Sequence, residues 1–121
     1  MSISSYQDLK VWQVSMDVVE QVYRLTQNFP KQEVYGLTSQ IQRAAVSLPS
    51  NIAEGHARDS TKEFLYHLSI ALGSLAELET QLILAKRLAY LEKQDLNVVL
   101  LKTNETGRML RGLQKALKAK L

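Results

Sequence analysis

Apolar positions recur every three or four residues along almost the whole chain, and no stretch alternates apolar with polar as a half-buried strand would. Prolines are confined to Pro30 and Pro49. The pattern therefore predicts helices joined by short connections. The first is expected from about Tyr6 to Gln27, with Ser5 and Asp8 spaced as a capping box. Asn28, Phe29 and Pro30 end it, and a second helix follows from about Glu33 to Ala57. The third is expected from about Thr61 to Arg87, opened by Ser60 with Glu63, and the fourth from about Asp95 to Lys118. Four long amphipathic helices with short links favour an all-α, up-down-up-down antiparallel four-helix bundle. At 121 residues it forms a single domain spanning 1–121.

The faces of these helices can be assigned at about 100° per residue. On the first, Leu9, Trp12, Met16, Val19 and Tyr23 make one stripe, and Val11, Val14, Val18, Val22 and Leu25 make a second beside it. Together they form an apolar arc wider than a surface helix needs for its own core. The excess is read as facing another subunit, with Val11, Val14, Val18 and Val22 as the candidate interface. The alternative is a helix central in its own bundle. On the second helix, Val34, Leu37, Ile41, Ala44, Ala45, Leu48 and Ile52 form the core face, and Pro49 is expected to bend the helix without ending it. On the third, Phe64, Leu65, Leu68, Ala71, Leu72, Leu75, Leu78, Leu82 and Ile83 face inward, and Gly73 is read as permitting a close helix approach. On the fourth, the inward set is Leu96, Val99, Leu100, Thr103, Leu110, Leu113, Leu117 and Leu121.

Composition narrows the chemistry. With no cysteine there is neither a disulfide nor a thiolate metal site. No run of 18 apolar residues is present, and the start MSISSYQDLK lacks a basic segment followed by an apolar one. No membrane span is expected, and a cytoplasmic location is. His56 and His67 lack the HExxH spacing of a zinc site and are read as turn or surface residues. The glycines are isolated, so no phosphate-cradling loop is present. No base–nucleophile–orienter set is apparent, so neither an enzyme activity nor a cofactor is expected.

Charge is unevenly spread. Residues 1–100 carry 9 Lys+Arg against 11 Asp+Glu, a net of −2, whereas residues 101–121 carry 6 against 1, a net of +5. Arg108, Arg111, Lys115 and Lys118 follow 3, 4, 3 spacing and form a basic ridge on the last helix. Such a ridge can neutralise RNA or DNA phosphates without reading sequence. No aromatic residue interleaves with it, so base stacking is not indicated. The plainer reading is a solvated helix end whose cations suit the helix dipole. A protein partner docked on the surface is the competing functional reading.

The stretch RAAVSLPSNIAEGHAR, residues 43–58, places Arg43, Ser47, Ser50, Asn51, Glu54 and Arg58 on one flank of the second helix. Glu79 falls within the apolar stripe of the third, and a carboxylate there must be paired. A structural polar network of Arg43, Ser47, Asn51, Glu54, Arg58 and Glu79 is expected, fixing the register of the two helices. Glu79 is expected to pair with Asn51, Ser47 or Arg43.

DLKVW (8–12), RAAVSLPSNIAEG (43–55) and GSLAELETQLILA (73–85) resemble the signature blocks of the 23S rRNA intervening sequence proteins. The resemblance covers nearly the whole chain. It implies a bacterial, left-handed antiparallel four-helix bundle that assembles into a homo-oligomeric ring of five, with no catalytic residues to carry across. A related bundle, the accessory protein of diversity-generating retroelements, is a basic ring that contacts a reverse transcriptase and nucleic acid. The present chain departs from that branch in confining its positive charge to the last helix.

Overall fold

The computed structural model describes residues 5–121. Four α-helices carry the fold: α1 (Lys10–Thr26), α2 (Leu37–His56), α3 (Thr61–Arg87) and α4 (Lys93–Lys118). Short 3-10 turns at Tyr6–Asp8 and Lys31–Glu33 precede α1 and α2. The first turn occupies sequence expected to belong to the first helix, the second ends at Glu33 where the second helix was expected to begin, and α1 and α2 each start four residues later than the periodicity suggests. Ser5 does cap, but it caps the 3-10 turn, its hydroxyl accepting from the Gln7 N–H at 3.1 Å.

Successive helices pack against one another, α1 also packs against α4, and α2 packs most extensively against α3. Contacts run antiparallel: Ser47 meets Ser74 while Gln40 meets Gln81, and Glu79 meets Thr103 while Ser69 meets Gln114. The core comprises Val11, Val18 and Val22 from α1, Ile41, Ala45, Leu48 and Ile52 from α2, Leu68, Leu75, Leu78 and Leu82 from α3, and Val99 and Leu110 from α4. By length and composition α3 is apolar enough to cross a bilayer. Its Leu68, Ala71, Leu78, Leu82 and Ala85 are fully buried against the other helices, although only 33% of its most apolar 18-residue stretch is buried. Pro49 lies within α2 and is itself buried; the helix continues through it to His56.

The structure corrects the reading of α1. Val11, Val14, Val18 and Val22, the candidate interface, are 0–6% exposed and fill the protein's own core. The stripe left outside is the other one: Trp12 and Val19 are half-buried, and Met16 and Tyr23 are exposed. Val34, Ile83 and Leu121, expected to point inward, are exposed at 53%, 40% and 66%, Val34 because it lies in the turn ahead of α2. Ile83 lies just beyond the α3 arc that the neighbouring helices cover. Leu121 lies past the end of α4, where no helix opposes it.

The helix ends explain how the turns are held. Ser60 caps α3 by accepting from the Glu63 N–H at 3.3 Å. After α3, the Tyr90 N–H reaches the Ala85 carbonyl at 2.9 Å, with Ala89 in the left-handed region at φ 64°. This is a Schellman closure with alanine where glycine is usual. Glu33 joins the two connections at this end of the bundle. Its Oε1 accepts from the Leu37 N–H at 3.0 Å, and its Oε2 accepts from the Tyr90 hydroxyl at 2.9 Å. That hydrogen bond, with lesser contributions from desolvation and the Glu33 charge, raises the Tyr90 pKa above its ordinary value. A raised tyrosine pKa gives stability that is complete below the unfolded value and is lost as pH climbs through the folded one.

Close approach depends on a different glycine from the one expected. Around Gly73 there is open space. A Cβ on Gly55 would lie 2.7 Å from His67 Cβ and 3.0 Å from Phe64 Cδ1, where α2 ends against the start of α3. The two positions should therefore respond oppositely to alanine. Gly55→Ala is expected to lower stability by about 1–3 kcal/mol through overpacking. Gly73→Ala should raise it by about 0.5–1 kcal/mol by restricting the unfolded chain. Urea unfolding of the two variants beside the parent checks both signs.

Candidate functional site

The α2–α3 seam carries most of the polar side chains that the sequence singled out. Seven residues are about two helical turns, so residues at that spacing return to nearly the same face. On α2, Gln40, Ser47 and Glu54 keep this spacing; on α3, His67, Ser74 and Gln81 keep it in the opposite direction. The two series meet as a ladder. Gln81 Nε2 donates to Gln40 Oε1 at 3.4 Å, the Ser47 and Ser74 hydroxyls share a hydrogen bond of 2.8 Å, and His67 Nε2 lies 3.8 Å from Glu54 Oε1.

Asn51 ties two of these rungs together. Its Nδ2 donates to both the Ser47 carbonyl and the Ser47 hydroxyl at 2.9 Å, which directs Oδ1 to His67 Nδ1 at 3.2 Å. An amide oxygen can only accept, so this contact assigns the imidazole proton to Nδ1. Farther out, the Arg58 guanidinium donates to Glu54 Oε1 at 3.3 Å. Both groups are about half exposed, so this i, i+4 pair is worth a few tenths of a kcal/mol. Hydrogen bonds therefore connect Ser74 through Ser47 and Asn51 to His67, and the Glu54–Arg58 pair stands beside the far edge of the imidazole.

This arrangement revises three expectations. Glu79 pairs with α4, not α2: its Oε2 accepts from the Thr103 hydroxyl at 2.8 Å. It sits on the α4 side of the α3 stripe, turned away from Asn51, Ser47 and Arg43. Arg43 is outside the network, exposed at the mouth of a groove. His67, read as a surface residue, is 8% exposed, bonds to Asn51 and packs beside Glu54. Its seven-residue spacing to Ser74 and Gln81 was the signal that could have found it. His56 ends α2, half-buried and edge-on to Phe64. Ser50 is exposed and lines a separate groove.

Two further surfaces matter. Between α1 and α2 lies an apolar groove of about 330 Å³ lined by Trp12, Met16, Val19, Val46 and Pro49. On α4, Arg108, Arg111, Lys115 and Lys118 are all exposed. Among the described residues none of the four lies within 4.0 Å of a carboxylate. Arg111 leans back over Gly107, toward the groove that holds Glu79 and Thr103. Among the described residues no three histidine, aspartate or glutamate side chains gather as a metal site would require.

The α2–α3 ladder makes a measurable claim. The couplings in a double-mutant cycle on Ser47→Ala and Ser74→Ala should be about 0.5–1.5 kcal/mol, since each single change strands the other half-buried hydroxyl. A coupling indistinguishable from zero in urea unfolding would remove that rung from the account.

Comparison with known proteins now adds to this geometry. The family model described as 23S rRNA-intervening sequence protein matches residues 7–112. Among solved structures, the chain is similar to a protein of unknown function from the S23 ribosomal protein family of Bacteroides thetaiotaomicron. That similarity has a TM-score of 0.78 at 25% identity and covers 87% of this chain and 98% of the other. Among curated proteins nothing matches.

Proposed function

The chain belongs to the 23S rRNA-intervening sequence protein family, and from that premise we propose that it is a non-catalytic cytoplasmic bundle that assembles into a homo-oligomeric ring, five copies being the number the family resemblance implies. The observation that carries this reading is the apolar groove between α1 and α2. Met16 and Val46 are each 39% exposed, Tyr23 is 43% exposed, and all belong to the face that carries half-buried Trp12 and Val19. Clustered apolar side chains at a groove, with aromatic residues among them, are what subunit interfaces bury. The valine stripe of α1 is already used inside the bundle, so the Trp12–Tyr23 stripe is the part of the arc left for a neighbour.

A second reading rests on the α4 ridge. Its four exposed cations span about 15 Å of helix and support weak, sequence-independent contact with RNA or DNA phosphates. In a ring the ridge is repeated, and weak contacts reinforce one another through effective concentration. A protein-interaction scaffold with no nucleic-acid binding is the alternative, and its partner would dock without strong dependence on salt.

Two measurements test these readings. Light scattering of the parent should give a mass several times that of one chain. Met16→Glu combined with Val46→Glu should give the single-chain mass with helical content retained. A parent that is monomeric, or a double variant that assembles unchanged, overturns the interface. Fluorescence anisotropy with generic single- and double-stranded RNA and DNA should show affinity falling linearly with log salt concentration, with a slope of about −2 to −4 for a ridge of this charge. Replacing Arg108, Arg111, Lys115 and Lys118 together by Glu should abolish that binding. Binding that survives the four changes, or no binding of the parent at low salt, removes nucleic acid from the function.

A further inference from the structure

The ladder between α2 and α3 is unevenly satisfied along its length. At the Glu54 end the polar groups meet one another through Asn51 and His67. At the other end the seam opens into a groove of about 420 Å³, bounded by Gln40, Arg43 and Ser47 on α2 and by Ser74, Glu77 and Gln81 on α3. Here hydrogen-bonding capacity is left over. The Ser47 and Ser74 hydroxyls share one bond, and neither hydroxyl has another acceptor among the described residues, so one O–H remains to donate whichever way the shared bond runs. Gln40 uses its carbonyl oxygen toward Gln81, which leaves its amide N–H₂ without an acceptor among the described residues. Gln81 is itself buried, and among the described residues its amide is held only by that long 3.4 Å bond and its carbonyl oxygen has no partner.

The charges at the mouth are unpaired as well. Arg43 and Glu77 lie on opposite banks, both exposed, and among the described residues neither is within 4.0 Å of an opposite charge. The α2 bank thus offers a guanidinium and an amide N–H₂, with a spare hydroxyl at the floor. Together these are a donor set suited to a carboxylate. The α3 bank offers a carboxylate, which repels phosphate esters and other polyanions and asks for a cation beside the bound anion. A guanidinium facing a carboxylate across a gap is complementary to a molecule carrying the reverse pair.

We propose that this groove binds a small zwitterion of the α-amino-acid class, its carboxylate on Arg43, Gln40 and the free serine O–H, and its ammonium on Glu77. The site lies on the α2–α3 seam, apart from both the α1–α2 groove and the α4 ridge, and does not depend on what those surfaces do. The bound molecule supplies the acceptor that Gln40 lacks, and it seats the Gln40–Gln81 rung, the loosest hydrogen bond of the ladder.

The test is an amide chemical-shift titration of the full chain with L-glutamine as the probe, and with acetate and ethylamine in parallel. The expected result is saturable shifts on residues 40–47 and 74–81, with a Kd of about 1 mM or tighter, and much weaker binding of either half-molecule. Arg43→Met and Glu77→Gln should each weaken glutamine binding by about tenfold or more while leaving the thermal midpoint close to the parent's, because both side chains are exposed. The two substitutions act on opposite ends of the ligand, so each checks the other should one disturb the fold. Absence of saturable shifts on those segments, binding unchanged in both variants, or acetate binding as tightly as glutamine overturns the proposal.

Discussion

Asn51 is a half-buried amide on α2 whose two ends are committed in different directions, one to Ser47 on its own helix and one to His67 on the next. Apolar packing alone would hold α2 against α3 at several registers, since leucine, isoleucine and alanine contacts are tolerant of sliding. The polar rungs are not. Shifting α3 by two turns would keep the apolar stripes together yet set Ser47 against His67 and Gln40 against Ser74, and leave Glu54 with no rung at all. A buried polar group without its partner costs about 1–3 kcal/mol, a cost that falls chiefly on buried His67, the serine and asparagine rungs being half-buried and adding less. Gly55 belongs to the same constraint: only a residue without a Cβ lets His67 come close enough to complete it.

Much of the architecture was legible because helix periodicity is a local property. The bounds of α3 agree with the residues themselves, from the Ser60 cap to Arg87. What periodicity could not decide was which of two equally apolar stripes on α1 would be covered. Val11–Val22 and Trp12–Tyr23 differ by only a fraction of a turn, and the choice is made by where α2 and α4 lie. The same limit applies to Glu79. A helical wheel shows that it faces the interior but not which neighbour stands opposite, and that neighbour is Thr103 of α4. Composition gave no sign of Ala89 in the left-handed region, because the usual marker, a glycine after the helix, is missing there.

The polar flank of α2 was legible as a set and not as a circuit. Ser47 and Asn51 are joined to His67 across the seam, Glu54 and Arg58 pair with each other beside that ring, and Arg43 stands apart at the groove mouth. A histidine beside an apolar stripe reads as surface when its own helix is considered alone. Its role emerges only when the seven-residue series on both helices are laid side by side. The family match places the chain among related bundles but assigns no chemistry to these residues, so the distances on the α2–α3 seam carry whatever is concluded about them.

The short connection between α2 and α3 has a kinetic consequence. His56 and Thr61 are close in sequence, so Glu54 and His67 need only a small loop to meet. The loop-closure entropy for that first contact is low, and each later rung adds little more because the chain between has already been drawn in. The hairpin can zip outward from Gly55 toward Gln40 and Gln81, checking its register at every second turn. α1 and α4 then have a preformed surface to condense on. A fold whose strictest pairing is also among its most local is one that reaches its native alignment early and spends little time in misaligned compact states.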